Sequence, residues 1–391
     1  MSTRTQVAII GGGPSGLLLA LLLNQAGIAA TIIERQTKAH VQKRIRAGVL
    51  EWGTVELLRR AGVGARMDKE GMIHDGCFFT AKNRQFRVDF KKLIGKQIMV
   101  YGQTEVTRDL YEALDQSGIK ILHGANHVAL HDVATTKPFI TCVIDGKSQQ
   151  IDCDYIAGCD GFHGVSRQTI PIEKRQEFEE IYPFGWLGVL SETRPAAHEL
   201  IYATHARGFA LASMRSARLS RYYFQVPVED KVEVWSDRAF WDELKRRLPH
   251  EIAETLETGA SIEKSIAPLR GFVCEPMRWG NLFLCGDAAH IVPPTGAKGL
   301  NLAASDVYYL SGALIQHYLQ KSDALLDAYS ATALARVWKA IRFSWWMTNL
   351  LHKFPTQSQF DLRVQESELD YISTSRAAQA SLAENYTGLG Y

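Results

Sequence analysis

A glycine-rich turn between an apolar run and an apolar helix constrains the fold of this chain more than any other feature. The segment reads VAIIGGGPSGLLLALLLNQAG, and Gly11, Gly13 and Gly16 have the spacing GxGxxG. In such a motif the first glycine permits a tight turn, the second lets the backbone approach a pyrophosphate, and the third lets the helix pack closely on the sheet. The N–H groups at the start of the helix, around Ser15, favour a phosphate. The pattern predicts a dinucleotide-binding strand, turn and helix.

A second strand-like run follows the helix and ends in an acidic residue. Residues 30–33 read ATII, and Glu34 comes directly after them. A carboxylate at this position can accept hydrogen bonds from an adenosine ribose. The motif alone does not show whether the dinucleotide is FAD or NAD. It could also be an ordinary glycine turn in a βαβ unit that binds no dinucleotide.

Composition limits the remaining possibilities. The 391 residues predict two or three domains. The 44 Lys and Arg residues nearly balance 42 Asp and Glu, so nucleic acid is not expected as a partner. Six cysteines without a CxxC pair predict a cytoplasmic protein with neither a zinc site nor a disulfide framework. No apolar stretch is long enough to span a membrane. His123, His127 and His131 lie in a strand-like pattern, so no metal site is expected.

Two later segments place an aspartate after a strand-like run. YIAGCDGFHG contains Asp160, and LFLCGDAAHIVPPTGAKGLNLA contains Asp287 ahead of a predicted helix. An aspartate at a strand end suits a polyol hydroxyl, and the N–H groups of Gly299, Leu300 and Asn301 suit an anion or a polarised carbonyl. These segments favour a flavin over a plain NAD site.

With these segments in hand, the chain resembles the family of FAD-dependent aromatic hydroxylases. The matching blocks cover nearly the whole sequence and include RIRAG, YGQTEVTRDL, HELIYATHARGFAL, RYYFQVP, RFSWWMT and AENYTGL. The resemblance implies an α/β fold with an FAD-binding Rossmann-like domain of the glutathione-reductase type, an interleaved β-sheet substrate domain and a helical C-terminal region. The expected ranges are 1–75, 98–180 and 270–345 for the FAD domain, 76–97 and 181–269 for the substrate domain, and 346–391 for a C-terminal helical or interface region.

Within the family, the resemblance is to members that hydroxylate 4-hydroxybenzoate at C3, giving 3,4-dihydroxybenzoate (protocatechuate). It implies non-covalent FAD, NADPH as reductant with NADH possible, O2 as co-substrate, a C4a-hydroperoxyflavin as oxygen donor, no metal, and a homodimer. Two alternatives stay open at this point. One is a related hydroxylase of another aromatic acid, such as 3-hydroxybenzoate or 4-aminobenzoate, and the other is a non-catalytic flavin-binding sensor.

The resemblance also implies roles for the substrate residues. The carboxylate of the aromatic acid would contact Ser213, Arg215 and Tyr223, and its phenol would face Tyr202 and the carbonyl of Pro294. A proton from the phenol would pass from Tyr202 through Tyr386 to His74, a histidine expected to titrate near neutrality. The expected catalytic set is therefore Tyr202, Tyr386, His74 and Pro294.

Cofactor residues are implied in the same way. The expected FAD ligands are Gly11, Gly13, Ser15, Gly16, Glu34, Arg44, Arg46, Gln103, Asp160, Asp287, Gly299, Leu300 and Asn301. The expected NADPH residues are Arg35, His40, Arg44, Arg46, His163 and Arg270. No second GxGxxG is present, so the coenzyme is expected to bind transiently in a groove. Positive charge at Lys38, His40 and Lys43 favours the 2′-phosphate of NADPH. Arg221 is a candidate anchor for the inner position of the isoalloxazine.

Overall fold

The computed structural model describes residues 2–43, 48–81 and 84–391. The predicted N-terminal unit forms within it as strand β2 (Val7–Ile10), helix α1 (Pro14–Gln25) and strand β3 (Ala30–Ile33). Every residue of β2 is buried, and so is the continuous stretch from Gly16 to Leu23 of α1. A helix that is apolar on all sides must be covered on all sides, and α1 lies between the sheet and two longer helices.

The strands β2 and β3 belong to a six-stranded sheet with the order β19-β20-β13-β2-β3-β9. Its neighbours from β20 to β9 pair in parallel, and β19 is antiparallel at one edge. This arrangement confirms the predicted Rossmann-like architecture. The other strands are β9 (Lys120–Leu122), β13 (Tyr155–Gly158), β19 (Arg278–Trp279) and β20 (Leu282–Leu284).

An eight-stranded sheet has the order β21-β18-β14-β17-β16-β15-β6-β7. Its pairs are antiparallel except for β15 with β6. The predicted domain borders at residues 181 and 270 lie inside its two longest strands, so the backbone of both crosses from one predicted domain into the other. The strands are β6 (Gly76–Ala81), β7 (Arg84–Asp89), β14 (Gln176–Ser191), β15 (Ile201–Thr204), β16 (Ala210–Ser216), β17 (Leu219–Pro227), β18 (Ser261–Glu275) and β21 (His290–Ile291).

Two small sheets flank these layers. One has the order β1-β12-β11-β10, with β1 (Ser2–Arg4), β10 (Asn126–His131), β11 (Phe139–Ile144) and β12 (Lys147–Asp152). The other has the order β4-β8-β5, with β4 (Val49–Glu51), β5 (Met72–His74) and β8 (Ile98–Val100). His127 and His131 lie in β10, as their pattern predicts, whereas His123 lies in the turn before this strand. Within the described ranges, no group of three or more His, Cys, Asp or Glu side chains is placed to hold a metal ion.

The chain after residue 298 is mostly helical, as predicted. No helix in the described part of the chain is both long and apolar enough to cross a membrane. Besides α1, the helices are α2 (Lys38–Gln42), α3 (Trp52–Arg60), α4 (Ala65–Glu70), α5 (Phe90–Ile94), α6 (Gln103–Ser117), α7 (Ser166–Thr169), α8 (Asp237–Arg247), α9 (His250–Thr255), α10 (Gly299–Gln320), α11 (Ala324–Leu351), α12 (Gln359–Thr374) and α13 (Arg376–Thr387).

Three apolar clusters hold these layers together. The first fills the space between the parallel sheet and α1, α6 and α10. The second joins one side of the eight-stranded sheet to α11, α12 and α13, and it includes Phe79, Tyr202 and Tyr386. The third packs α8, through Phe240 and Leu244, on the other side of the same sheet. The second cluster is the one that brings the helical region to the predicted substrate residues.

Candidate active site

Four of the predicted cofactor segments meet at one edge of the parallel sheet. Ile10 lies opposite both Ile33 and Gly158, and Gly158 lies opposite Leu284. The carboxyl ends of β2, β3, β13 and β20 are therefore level with one another. In open α/β sheets the crevice outside these ends is where ligands bind. The segments that follow the four strands are residues 11–16, 34–36, 159–161 and 285–287.

The glycine turn at this edge is shaped for close approach. Gly11 has φ +106°, and a Cβ there would lie 2.3 Å from the carbonyl oxygen of Cys159. A Cβ on Gly16 would lie 2.0 Å from the carbonyl oxygen of Gly11, whereas a Cβ on Gly13 would meet nothing within 4 Å. Helix α1 begins with no side-chain cap and no acidic residue in its first turn. Its first N–H groups can therefore bind an anion, and the turn fits the pyrophosphate of FAD.

Backbone groups orient the carboxylate of Glu34 beside this turn. One oxygen accepts a hydrogen bond from the Gly12 N–H at 2.6 Å, and the other accepts one from the Gln36 N–H at 2.6 Å. An ionised carboxylate has about four acceptor positions, so each oxygen retains capacity for a further donor. The geometry is compatible with the predicted contact to ribose hydroxyls.

Asp287 is exposed on a 3-10 turn, Gly286–Ala288. A buried ion pair between Asp306 and His290 stabilises this turn. Asp306 accepts hydrogen bonds from the Gly286 N–H at 2.8 Å and from His290 Nε2 at 2.6 Å. Burial disfavours the imidazolium of His290, but the charge of Asp306 outweighs it, and the pKa of His290 is raised. Asp306 and His290 fix the turn that presents Asp287, and no local motif signals their role in the sequence.

The side chain of Asp160 is used within its own turn. One carboxylate oxygen accepts hydrogen bonds from the N–H and the hydroxyl of Ser166, at 2.9 and 3.0 Å. Burial raises the pKa of this carboxyl group. The backbone of Asp160, in contrast, lies against the glycine turn at Gly11. Asp160 is therefore adjacent to the predicted cofactor, but its carboxylate stabilises the start of α7.

The first turn of α10 offers backbone donors at the same site. The side-chain oxygen of Asn301 accepts hydrogen bonds from the Glu51 N–H and the Thr54 hydroxyl, both at 2.8 Å, and its amide donates to two backbone carbonyls. The side chain of Asn301 is thus used in holding the helix in place. What Gly299, Leu300 and Asn301 can offer a cofactor is their N–H groups, because the helix has no side-chain cap.

The predicted substrate residues share one side of the eight-stranded sheet. Tyr202 lies opposite Leu211, Leu211 lies opposite Tyr223, and Ser213 lies opposite Arg221. Alternate residues of a strand point to the same side. The side chains of Tyr202, Ser213, Arg221 and Tyr223 are therefore neighbours on one surface, as the resemblance implies.

Arg215 lies next to the start of helix α6, whose first residue is the expected FAD ligand Gln103. A Cβ on Gly102, the residue before Gln103, would lie 3.8 Å from Cδ of Arg215. Nε of Arg215 is buried without a partner among the described residues. Burial lowers the pKa of the guanidinium, although Tyr223 opposes this effect in part. A half-buried guanidinium whose Nε is buried and unused fits the carboxylate of a ligand, although its Nη1 already donates to the Met214 carbonyl at 2.9 Å.

Gly188 and Glu263, which the sequence analysis does not single out, contribute to the same surface. Arg221 forms an ion pair with Glu263, and its guanidinium lies 4.9 Å from the ring centroid of Tyr223. A Cβ on Gly188 would lie 2.7 Å from the ring of Tyr223 and 3.0 Å from Nη2 of Arg221. Gly188 therefore makes room for both side chains, and Glu263 compensates one of the two arginine charges.

Two of the predicted substrate contacts are occupied by backbone groups in this structure. The hydroxyl of Ser213 donates a hydrogen bond to the carbonyl of Arg221 at 2.7 Å. It must leave that carbonyl before it can donate to a carboxylate. The carbonyl of Pro294 accepts a hydrogen bond from the Ala297 N–H at 3.0 Å, and it keeps one lone pair for a phenol.

A pair of buried tyrosines lies at the other end of the surface. The hydroxyls of Tyr202 and Tyr386 are 2.6 Å apart, and each side chain is 1% exposed. Phe79 stacks on Tyr202 and Phe90 stacks on Tyr386, with centroids 5.4 and 5.1 Å apart. Burial raises the pKa of both phenols, so both are protonated at neutral pH. The pair can transmit a proton by exchanging its hydrogen bond.

His74 does not behave as predicted. It is buried at the end of β5, and neither ring nitrogen has a partner among the described residues. Burial lowers its pKa to about 4, and the charge of Glu199 opposes this effect only in part. The expectation that His74 titrates near neutrality is therefore wrong for this structure, because the imidazolium would be desolvated.

The predicted coenzyme residues fall into two groups. In the first, the guanidinium of Arg270 lies 4.7 Å from the ring centroid of Phe162, and His163 meets the same ring edge-on at 5.1 Å. Arg270 also pairs with Glu179 at 3.2 Å. The structure thus brings Arg270 and His163 together through Phe162, which the sequence analysis does not single out.

The second group surrounds the short helix α2. Arg35 and His40 are exposed there. Lys38, from the same segment, forms an ion pair with Asp115. Arg44 and Arg46, predicted to serve both FAD and NADPH, lie outside the residues that the structure describes.

A protein-family profile described as "FAD binding domain" matches residues 4–344. This range contains the glycine turn, Glu34, the substrate side of the eight-stranded sheet and the first turn of α10. The chain therefore belongs to this family of FAD-binding proteins. Its predicted fold class and its predicted flavin are confirmed.

Similarity to individual proteins narrows the class. The chain is 57% identical, over 389 residues, to the p-hydroxybenzoate hydroxylase of Acinetobacter baylyi, which covers 99% of this chain and 96% of that protein. It is 24% identical over 383 residues to the 6-hydroxy-3-succinoylpyridine 3-monooxygenase of Pseudomonas putida, covering 92% and 93%. The crystal structure of p-nitrophenol 4-monooxygenase from Pseudomonas putida has the same fold, with a TM-score of 0.82 and 18% identity over the full length of both chains. The chain is an FAD-dependent monooxygenase, as predicted.

Proposed function

We propose that this enzyme hydroxylates 4-hydroxybenzoate at C3, beside the phenol, to give 3,4-dihydroxybenzoate. The observation that carries the proposal is that one surface of the eight-stranded sheet has a cation and a hydroxyl at one end and two bonded hydroxyls at the other. Arg215 and Tyr223 offer a cation and a hydroxyl at one end, and the bonded hydroxyls of Tyr202 and Tyr386 lie at the other. A para-hydroxy acid has a carboxylate and a phenol at its opposite ends. The name of the 57% identical relative supports the same substrate.

The carboxylate end is assigned to Arg215. A planar guanidinium can bind a carboxylate through two parallel hydrogen bonds, which fixes the plane of the aromatic ring. Burial of the Arg215 Nε is costly until an anion enters, because this nitrogen has no hydrogen-bond partner among the residues described. The anion of the substrate would compensate that cost, and a neutral phenol without a carboxylate would not.

The phenol end is assigned to Tyr202. Since burial raises the pKa of Tyr202, its hydroxyl is protonated and can donate a hydrogen bond to a phenolate. An ionised phenol makes the ring carbon next to it electron-rich, and that carbon then attacks an electrophilic oxygen. Tyr386 relays the proton away from Tyr202. The two unpartnered ring nitrogens of His74 support a continuation through ordered water, in which His74 stays neutral.

FAD, once bound and reduced, supplies the activated oxygen atom derived from O2. The chain supplies its binding and orientation. We assign the pyrophosphate to the N–H groups after the glycine turn, the ribose to Glu34, the polyol to Asp287, and a carbonyl of the isoalloxazine to the first turn of α10. The walls of the substrate surface exclude water from the oxygen transfer.

NADPH is the proposed reductant. The exposed side chains of Arg35 and His40, with Lys38 beside them, support binding of a 2′-phosphate, and Arg270 with His163 provides a second contact region. A ratio of kcat/KM for NADPH over NADH well above one would agree with this assignment, and equal values would contradict it.

A cytoplasmic homodimer is proposed as the working form. Six free cysteines, five of them buried, support a reducing compartment. Exposed aromatic side chains on α11 and α12, Trp345 at 50% and Phe360 at 76%, support an interface between two copies. Sedimentation equilibrium of the holoenzyme would give twice the chain mass, and a single chain mass would contradict the proposal.

The decisive experiment follows the bound flavin during anaerobic mixing with NADPH, with and without 4-hydroxybenzoate. Oxygen is then admitted and the products are separated by chromatography. We expect the acid to accelerate bleaching of the flavin and 3,4-dihydroxybenzoate to form. In parallel, 3-hydroxybenzoate and 4-aminobenzoate test the pairing of the two ends. Bleaching that ignores 4-hydroxybenzoate, or faster turnover of 3-hydroxybenzoate, would refute the substrate assignment.

A further inference from the structure

A buried carboxylate, Glu51, lies behind the tyrosine pair and joins three elements. Lys298 Nζ donates to one of its oxygens at 2.6 Å, and Arg336 Nη2 donates to the other at 2.6 Å. The exposed fractions are 3% for Glu51, 3% for Lys298 and 8% for Arg336. Such a cluster is costly to bury, so its geometry must be well satisfied to persist.

The same cluster holds the chain on both sides of Tyr386. Lys298 Nζ also donates to the carbonyl oxygen of Tyr386 at 2.9 Å. Arg336 donates to the carbonyl oxygens of Leu389 and Gly390, the second at 3.2 Å. The two cations of the cluster therefore bind the backbone carbonyls of residue 386 and of residues 389 and 390.

Gly388 makes this approach possible. It has φ +99°, and a Cβ there would lie 2.2 Å from an oxygen of Glu51. Any other residue would both strain the backbone and push the carboxylate away. The chain after α13 thus turns directly over Glu51.

Tyr391 attaches the segment Gly388–Tyr391 to residues that contact the first turn of α10. Its ring centroid lies 4.7 Å from the guanidinium of Arg336, and its hydroxyl lies 3.3 Å from the hydroxyl of Thr54. Thr54 in turn donates to the side-chain oxygen of Asn301, in the first turn of α10. A continuous set of contacts therefore runs from Tyr386 to the helix start assigned to the flavin.

We propose that Arg336 and the segment Gly388–Tyr391 are positioning elements that hold the hydroxyl of Tyr386 at hydrogen-bonding distance from Tyr202. Arg336 touches neither hydroxyl. It acts through Glu51 and the backbone carbonyls, and the strength of a hydrogen bond falls steeply with distance and angle. The proposal rests on the proposed function of the tyrosine pair, which it extends to the residues that set the geometry of that pair.

The test is the ionisation of bound 4-hydroxybenzoate, followed by its ultraviolet absorbance during a pH titration of the holoenzyme. Arg336→Gln should reduce the ratio of phenolate to phenol at a fixed pH about tenfold, the effect of a rise of about one unit in the pKa of the bound phenol. Arg336→Lys should restore part of the loss, because a cation can still reach Glu51. Hydrogen exchange of the amides of residues 387–391 should become faster in Arg336→Gln.

Arg342→Gln is the matched control. Arg342 is exposed on the same helix α11 and donates to the side chain of Asn385, on the same helix α13, at 2.6 Å. The substitution removes a contact between the same two helices and leaves the contacts of Glu51 intact. Ionisation of the bound acid should therefore be the same as in the unmodified enzyme.

Each outcome is decisive. If the unmodified enzyme does not ionise the bound acid, the proposed function of the tyrosine pair fails. If it does, but Arg336→Gln accelerates exchange of residues 387–391 and leaves ionisation unchanged, the positioning role is overturned and the proposed function stands. If Arg336→Gln does not fold, Tyr391→Ala is measured in its place, because it removes the ring from Arg336 and keeps the pair with Glu51. Unchanged ionisation in Tyr391→Ala with faster exchange overturns the proposal equally.

Discussion

Replacing Tyr202 by phenylalanine isolates the contribution of one hydroxyl group to the reaction. The change removes the hydrogen bond of 2.6 Å to Tyr386 and the donor that we assign to the substrate phenolate. The carboxylate end of the site is untouched, and the ring can still stack on Phe79. The variant should therefore bind 4-hydroxybenzoate and respond to it with faster flavin reduction.

The magnitude follows from two losses. A hydrogen bond to a charged group contributes about 1.5–3 kcal/mol, so the bound phenolate should lose stability equivalent to roughly one to two units of its pKa. Formation of the hydroxylated product should then fall about 10- to 100-fold, at or below the lower end of the range of about 10²–10⁴-fold that is typical of a single acid–base group. The hydroxyl of Tyr386 also stays buried without a partner, which lowers the free energy of unfolding by about 1–3 kcal/mol.

The assay measures product, hydrogen peroxide and NADPH consumed in the same reaction. We expect NADPH oxidation to continue, with peroxide replacing most of the dihydroxy product. Tyr222→Phe is the control, because Tyr222 is buried in β17 on the opposite side of the same sheet, and its hydroxyl donates to the Arg194 carbonyl at 3.4 Å. A Tyr202→Phe enzyme with a normal product yield would refute the role given to Tyr202.

Three further predictions concern the cofactor edge and the buried histidines. Asp306→Ala should weaken FAD binding about tenfold or more, because it removes the acceptor of the Gly286 N–H and frees the turn, and fluorescence titration of the apoprotein with FAD would show an unchanged Kd if Asp306 has no such role. Gly11→Ala should abolish flavin binding, since its Cβ would lie 2.3 Å from the Cys159 carbonyl oxygen; recovery of yellow holoenzyme would contradict the proposed turn. Burial lowers the pKa of His352 to about 3. Its contribution to stability is complete above the unfolded pKa of about 6.5 and is lost as pH falls, by about 2 kcal/mol at pH 5, so denaturant titrations of His352→Gln should show a shallower decline between pH 7 and 5.

The cofactor edge could be predicted from the sequence because its determinants are local. Gly11 and Gly16 act on a turn within six residues of chain, and Glu34 directly ends the next strand. The later aspartate turns follow the same strand-then-turn pattern. The parallel pairing of β2, β3, β13 and β20 then brings these local features together, as the α/β order of the sequence implies.

The substrate surface could be named only by resemblance, and some of its features could not be named at all. Glu263 and Gly188 become neighbours of Arg221 through pairing of strands that are distant in the sequence, and neither carries a local signal. The hydroxyl of Ser213 donates to a carbonyl only eight residues away, across the hairpin of β16 and β17, but the sequence around Ser213 does not reveal this bond. The pKa of His74 depends on burial, which the sequence around it does not reveal.

The predicted domain borders illustrate the same limit. The resemblance implies borders at residues 181 and 270, but β14 and β18 continue through them as paired strands from Gln176 with Glu275 to Ser191 with Ser261. Strand length is set by pairing with the neighbour, and composition along one strand does not record where the partner ends.

The dispersed origin of the cofactor edge has a consequence for how the protein is made. A ribosome synthesises from the amino terminus, so the glycine turn emerges first, and Asp287 and the first turn of α10 emerge only about 270 residues later. A nascent chain that ends before β20 lacks one of the four segments that form the cofactor edge. Its parallel sheet also lacks β20 as the partner of β13. Flavin capture must therefore follow the slow, non-local steps of folding, which makes the yellow colour of the holoenzyme a report on completed assembly of the chain.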